Sequence, residues 1–383
     1  MAANSWRFHN PTTVIFEPGA IENLGQFLPY ERAVLITIAC FRQQGVVDRV
    51  ASALGKKLVY VMDDVLPNPD LLTVDDQIAR LRSIRPDVVI ALGGGSSIDT
   101  AKALARMLVQ PLGSTLRSHF RDQMKLSTHN ALPIIAIPTT SGTGAEVTPF
   151  GTIWDFELGK KYSVTGEDIF PHIAILDPEL TYELPEEITI SSGLDAVSHA
   201  LESIWNRNAN PVTIALATES LTISMPALRA LRHSLKNHAA RADMMQASFL
   251  AGLAISQTRT ALAHSISYPL TTDFGLPHGI ACSFTLPALL RFNLAVDDGR
   301  LAKLAENISY SNPQALANDL AELFVEVGVN EIFARYISQS ELVMDLVDRM
   351  IAPGRADNNI RKANLEDIKD IVFASLPSSH HIK

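Results

Sequence analysis

Asp195 and His199 stand four residues apart and offer the first chemistry in this sequence. On a helix, side chains at that spacing project from one face, one turn apart, so a carboxylate and an imidazole can share one cation. By itself such a pair is more often a surface contact than a ligand pair. The preceding Gly193-Leu194 place it at the start of a helix. Two further imidazoles follow. His264 lies in the apolar helical stretch Ala261–Ile266, where a lone histidine is more often a packed core residue. His278 lies between Pro277 and Gly279, at a loop-to-helix junction. One carboxylate and three imidazoles together would leave a position open for a substrate oxygen on a borderline divalent ion, Fe²⁺ or Zn²⁺. A single carboxylate keeps such a site net positive, as a Lewis acid requires. His9, His119, His129, His172, His233 and His238 have no partner at useful spacing, and His380 and His381 fall in a polar tail.

A second chemistry sits in Gly93-Gly94-Gly95-Ser96-Ser97, between an apolar run and a helical one. Three glycines let a backbone pass close to a ligand, and the helix start that follows offers unpaired N–H groups to a phosphate. Ser96 or Ser97 can cap that helix. The turn is not GxGxxG, so a standard dinucleotide fingerprint does not follow, and alone it is equally a tight strand-to-helix turn. Pro138–Thr148 is a second polar loop after an apolar run, with five hydroxyls and two glycines in eleven residues. Loops at the carboxyl ends of parallel strands are where α/β sheets hold ligands.

The elements that must position these groups fall into two kinds. Ala33–Ile38, Leu58–Met62, Asp87–Leu92, Leu132–Ile137 and Ile173–Leu176 are continuous apolar runs, and helical stretches such as Gln44–Leu54, Val74–Ile84 and Ser96–Leu108 separate them. That alternation predicts a parallel sheet covered on both faces. Asp75 and Asp76 suit the N-terminal end of the second helix. From about residue 189 the pattern is helical: Ser191–Trp205, Pro211–Arg232, Ala239–Gln257, Ala261–Tyr268, Ala315–Val327 and Ser340–Met350. The expected fold is an α/β domain over residues 1–182 and an all-α domain over 183–383.

The bulk composition limits the function. A chain of 383 residues is too long for one ordinary core. A net charge of −9 argues against non-specific nucleic-acid binding. Cys40 and Cys282 are the only cysteines and make no disulfide framework. No apolar run approaches a membrane span, which points to the cytoplasm and away from a membrane.

Together these residues resemble the iron-containing (group III) alcohol dehydrogenase family, whose fold is shared with dehydroquinate synthase. Gly93-Gly94-Gly95-Ser96-x-x-Asp99, Pro138-Thr139-Thr140-x-Gly142-Thr143-x-x-Glu146-Val147-Thr148, Gly193-Leu194-Asp195-Ala196-x-x-His199-Ala200-x-Glu202, and His264 through His278-Gly279 carry the resemblance over nearly the whole chain. It implies Asp195, His199, His264 and His278 as metal ligands. It implies cofactor contacts from Asn68, Gly94, Gly95, Ser96, Asp99, Thr139, Thr140, Thr143 and Lys161, the last in a loop where it reaches the nicotinamide ribose. NADH or NADPH, a small aldehyde or alcohol, and a homo-oligomer, dimeric or larger, are implied with them.

Three departures from the family pattern bear on specificity. No acid follows the first strand, so NADPH is not repelled, and Arg42 is close enough in sequence to meet a 2′-phosphate. Tyr268 stands where many members carry a second histidine. Arg259 precedes His264 by five residues, where a buried guanidinium must be paired or must bind an oxyanion. With Ser267-Tyr268-Pro269-Leu270 and Pro353–Asn359, it is similar to the branch that reduces phosphonoacetaldehyde, and Arg259, Tyr268 and Asn359 are then the substrate residues. Sulfoacetaldehyde reduction and general short-chain alcohol oxidation are the alternatives within the family. A dehydroquinate synthase-like, NAD-dependent lyase is the alternative from another class.

Overall fold

The computed structural model describes residues 5–376, so His380 and His381 lie outside it. The chain folds into two units. One comprises Asn10–Thr140 and Ala145–Thr181; the other takes 5–9, Ser141–Gly144 and 182–376.

The first unit contains eight strands: β1 (Thr13–Phe16), β2 (Ala33–Ile36), β3 (Leu58–Met62), β4 (Val88–Gly93), β5 (Ile134–Pro138), β6 (Phe150–Asp155), β7 (Lys160–Thr165) and β8 (Ile173–Leu176). Six form a parallel sheet in the order β1-β8-β5-β4-β2-β3. Every residue of β2, β4 and β5 is buried. Val34, Ile36, Val89, Ala91 and Ala136 enter one core and Leu35, Val88, Ile90, Leu92 and Ile137 the other. Burial on both faces is why these strands read as unbroken apolar runs. β2 leads outward to β3, whereas β4 returns on the far side of β2 and leads to β5. Such a reversal opens a crevice at the carboxyl ends of β2 and β4. The antiparallel hairpin β6–β7 stands apart from the sheet.

The helix after β3 runs over Leu71–Arg82, three residues earlier than its pattern suggests. Asp70 caps it, accepting from the N–H groups of Leu72 and Thr73 at 3.1 Å. Asp75 serves a different helix, Leu116–Phe120, accepting from Leu116 and Arg117 at 2.6 and 3.0 Å.

The second unit is helical. Glu186–Ile204, Pro211–His233 and His238–Thr258 pack together, and Leu262–Phe274, His278–Ser283 and Leu286–Asn293 follow. Leu194, Val197, Leu201, Trp205, Leu228 and Met244 lie in its core. The first of these helices begins at Glu186, not near Ser191, because Glu186 and Glu187 suit its first turn. Asp195 and His199 therefore lie in mid-helix rather than at its start. One stretch passes a length-and-composition test for a membrane span that a buried core helix also passes. His278–Val296 is long and apolar enough, by length and composition, to cross a membrane; 61% of its apolar window is buried inside the unit.

Candidate metal centre and cofactor turn

Asp195, His199, His264 and His278 converge. Oδ1 of Asp195 lies 3.5 Å from His199 Nε2, 3.4 Å from His264 Nε2 and 4.0 Å from His278 Nε2. The rings of His199 and His264 stack with centroids 4.8 Å apart, and His278 meets His264 edge-on at 5.3 Å. Asp195, His199 and His264 are buried; His278 is partly exposed.

Hydrogen bonds at the far side of two rings set their protonation. His264 Nδ1 donates to Glu202 Oε2 at 2.8 Å, and Glu202 also accepts from the N–H groups of Ala261 and His264. His199 Nδ1 donates to the Gly142 carbonyl at 3.1 Å. Each ring is thereby left with a lone pair on Nε2, the arrangement that metal-binding imidazoles need. His264 Nε2 is buried and has no hydrogen-bond partner among the described residues.

The electrostatics call for a cation. Burial would raise the Asp195 pKa, but the surrounding imidazoles outweigh it and hold the carboxyl well below the usual range. Burial likewise opposes the ionised Glu202, and His264 overcomes it. Burial disfavours a charged His264, yet Cys282, Glu202 and Asp195 together raise its proton affinity well above that of an ordinary imidazole. His199, with burial dominant, is pushed down. Two buried carboxylates, aligned Nε2 lone pairs and one orphaned nitrogen fit a divalent transition ion.

Two members of this site are absent from the expected set. Asp195, His199 and Glu202 occupy i, i+4 and i+7 of one helix, a single stripe that was the available signal for Glu202. Cys282 stands four residues after His278, and its Sγ joins Asp195, His264 and His278 in a group whose ligand atoms all lie within 4.8 Å of one another.

In the first unit, Gly93 leaves β4 with φ 150°, and a Cβ there would lie 2.3 Å from Ser97 Oγ. The helix Gly95–Leu108 starts at Gly94 without a side-chain cap. The expected serine cap is not formed: Ser96 Oγ accepts from the Asn68 N–H at 3.2 Å, and Ser97 Oγ is buried without a partner. Among the described residues, no acceptor takes the N–H groups of Gly95 and Ser96, which leaves them for an anion. Asn68 adopts a left-handed conformation, φ 56°. The Thr139 N–H donates to the Gly93 carbonyl at 3.1 Å, and the Thr140 side chain borders Gly94. Asp99 spends one carboxylate oxygen on the Thr152 N–H at 2.8 Å. Lys161 is not in a loop; it lies in β7, with Nζ 5.2 Å from the Trp154 ring centre. Thr143 belongs to Ser141–Gly144, which folds with the helical unit, so the hydroxyl-rich loop is divided between the two units. Arg42 pairs with Asp63, which follows β3 and supplies an acid where none follows β2.

The three expected substrate residues differ in exposure. Arg259 is exposed, with φ 64°, and its carbonyl accepts from Asn206 Nδ2 at 3.0 Å. Its guanidinium has no ion pair among the described residues, so the burial cost expected for it does not arise. Tyr268 lies one turn beyond His264 on the same helix. Asn359 is buried. It is 2% exposed, and its amide donates to Asn293 Oδ1 at 2.8 Å and to the Arg361 carbonyl at 2.7 Å.

Known proteins resemble this chain in sequence and fold. The chain is similar to the phosphonoacetaldehyde reductase of Streptomyces viridochromogenes, 38% identical over 237 residues, 60% of this chain and 60% of that protein. It is 33% identical over 330 residues to the 1-propanol dehydrogenase PduQ of Salmonella typhimurium, covering 82% of this chain and 84% of the other. It spans about a third of the length of the aldehyde-alcohol dehydrogenases that it also matches. The sulfoacetaldehyde reductase of Bifidobacterium kashiwanohense, solved in complex with NAD+, superposes with a TM-score of 0.90 at 29% identity, over 98% of this chain and 100% of that one. Residues 11–178 match the iron-containing alcohol dehydrogenase family and residues 189–376 its C-terminal part, and the chain therefore belongs to that family.

Proposed function

We propose that this protein is a metal-dependent, NAD(P)H-linked reductase that converts a small anionic aldehyde, phosphonoacetaldehyde, to its alcohol. The observation that carries the metal reading is the Asp195, His199 and His264 cluster, with the imidazole Nε2 lone pairs aimed at one carboxylate oxygen. Asp195, His199, His264 and His278 would hold the ion, and Glu202 and Gly142 keep two of the rings in the required tautomer. When bound, Fe²⁺ or Zn²⁺ supplies Lewis acidity toward a carbonyl oxygen, and the nicotinamide supplies the hydride. Gly94, Gly95 and Ser96 offer backbone donors to the pyrophosphate, with Asn68, Thr139 and Thr140 around them. Asp99, Thr143 and Lys161 complete the proposed cofactor set. The Tyr268 phenol is the proton donor proposed nearest to His264 in sequence.

Arg259 supports the choice of an anionic substrate. An exposed guanidinium without an ion pair among the described residues, on a backbone held at φ 64°, is available to fork onto a phosphonate. The similarity to a phosphonoacetaldehyde reductase agrees with it. The similarity to a sulfoacetaldehyde reductase favours a sulfonate as the second reading, because the two head groups are near-isosteres. The coenzyme preference rests on Arg42. Paired with Asp63 it presents no net charge, and free of Asp63 it would accept a 2′-phosphate. Action in the cytoplasm as a homo-oligomer is part of this reading.

The test is NADH and NADPH oxidation with phosphonoacetaldehyde, sulfoacetaldehyde, succinic semialdehyde and propanal, on wild type and Arg259→Ala. The variant should lose about 10–100-fold in kcat/KM on the preferred anionic aldehyde, the loss expected of a charged hydrogen-bond pair, and little on propanal. Equal losses on both would remove Arg259 from substrate binding. Turnover of no aldehyde by metal-loaded wild type would remove the activity itself.

A further inference from the structure

Cys282 stands one turn beyond His278 on the helix His278–Ser283 and repeats the spacing of Asp195 and His199 on theirs. It is fully buried. Its Sγ lies 3.3 Å from Asp195 Oδ1, the oxygen that all three imidazole Nε2 atoms face. The other acceptor in reach, the Gly279 carbonyl, is neutral and more distant at 3.6 Å.

The backbone locks this geometry. A Cβ on Gly279 would lie 1.8 Å from the Ser191 carbonyl oxygen, so the two helices touch there with no side chain between them. Ser198 Oγ donates to the Cys282 carbonyl at 2.9 Å, tying the same helices a second time. Asp195 and Cys282 are thus buried on two helices in close backbone contact.

We propose that Cys282 is a positioning residue of the metal centre, whose thiol donates to Asp195 Oδ1 and keeps that carboxylate turned toward the three imidazoles without itself binding the ion. This inference rests on the metal-centre reading above. Two arguments separate such a donor from a fifth ligand. A fifth protein ligand would compete for the coordination position that a substrate oxygen needs. A thiolate would also add a second negative charge to that of Asp195, cancelling the charge of a divalent ion and the Lewis acidity with it. A neutral S–H does neither and fixes the rotamer of the only carboxylate in the ligand set.

The test uses full-length wild type, Cys282→Ser and Cys282→Ala, stripped of metal and titrated with Co²⁺ against a competing chelator. Wild type should show no sulfur-to-cobalt charge-transfer absorption. Cys282→Ala should bind Co²⁺ about 10–100-fold more weakly, as expected when an orienting partner of a ligand is lost. Cys282→Ser, which keeps a donor, should recover most of that loss. A charge-transfer band in wild type that disappears in Cys282→Ser would make Cys282 a ligand and overturn the proposal. Unchanged affinity in Cys282→Ala would overturn it as well. If Cys282→Ala does not fold, the wild-type cobalt spectrum still decides between ligand and donor. Failure of wild type to take up Co²⁺ would overturn the metal-centre reading first and this inference with it, whereas failures confined to the variants bear on Cys282 alone.

Discussion

Glu202 is occupied by His264 and the turn before it. Its two oxygens collect one imidazole N–H and two backbone N–H groups, so it fixes both the tautomer of the ring and the start of the helix that carries it. Glu202→Gln keeps the shape, but its NH₂ end meets donors instead of accepting from them. We expect metal affinity to fall about 10–100-fold while excess metal restores part of the activity. Metal analysis after dialysis against a chelator, with activity measured across added metal, checks this. The grouping of Asp195, His199, His264 and His278 was legible because a carboxylate and three imidazoles are rare in apolar helical sequence. Glu202 and Cys282 were not, because a residue that acts through a neighbour shows only helical spacing, which packing residues share. The burial of Asn359 was hidden for a different reason. The residue sits among Gly354, Arg355 and Asp357, which reads as a solvated loop, and only the tertiary fold brings Asn293 and the Arg361 carbonyl to its amide.

Elements were legible where burial imposes a simple pattern. β2, β4 and β5 are buried on both faces, so apolar runs announced them. The hairpin β6–β7 went unread because its strands mix Lys160, Lys161, Thr152 and Ser163 with apolar residues, and half of its surface is wet. Helix starts were read poorly where two acids compete. Asp70 and Asp75 both suit a cap, and only the structure assigns them to different helices. Close helix contact is also invisible in a pattern. At Gly279 the backbone of its helix meets Ser191 on the Asp195 helix with no room for a methyl group. Gly279→Ala must push the helices apart, at a cost of about 1–3 kcal/mol for overpacking. The displacement also moves His278 away from Asp195. We expect a lower Tm together with weaker metal binding. A melt of the metal-free protein and a chelator titration check this, and a lower Tm with unchanged metal affinity would show that the ligands tolerate the shift.

For the whole molecule, stability carries the mark of a buried charge cluster in the α/β unit. Lys102 is fully buried, donating to the carbonyls of Thr148 and Phe150 and to Thr148 Oγ1. Burial pushes it down to about 8, although Asp99 and Glu146 oppose the shift. Burial pushes Glu146 up to about 7 from an ordinary glutamate's 4.5. Between those two values the native state keeps a proton on Glu146 that the unfolded chain has lost. The contribution of Glu146 is therefore full in acid and is lost as pH rises toward 7. For Lys102 the sign reverses: its contribution is full above its unfolded pKa and is lost as pH falls through about 8. Glu146→Gln should remove the first slope, so the Tm difference between variant and wild type should grow from pH 5 to pH 7. A series of melts across that range measures it, and a constant difference would show that Glu146 titrates normally. At this scale the α/β and helical classes were legible from residue pattern alone. The return of Ser141–Gly144 to the helical unit was not, since nothing in a hydroxyl-rich loop says which partner will claim it. That return means that the gene has no clean seam. A break after residue 181 would separate His199 from the Gly142 carbonyl that sets its tautomer, so no single cut of the coding sequence yields two self-sufficient parts.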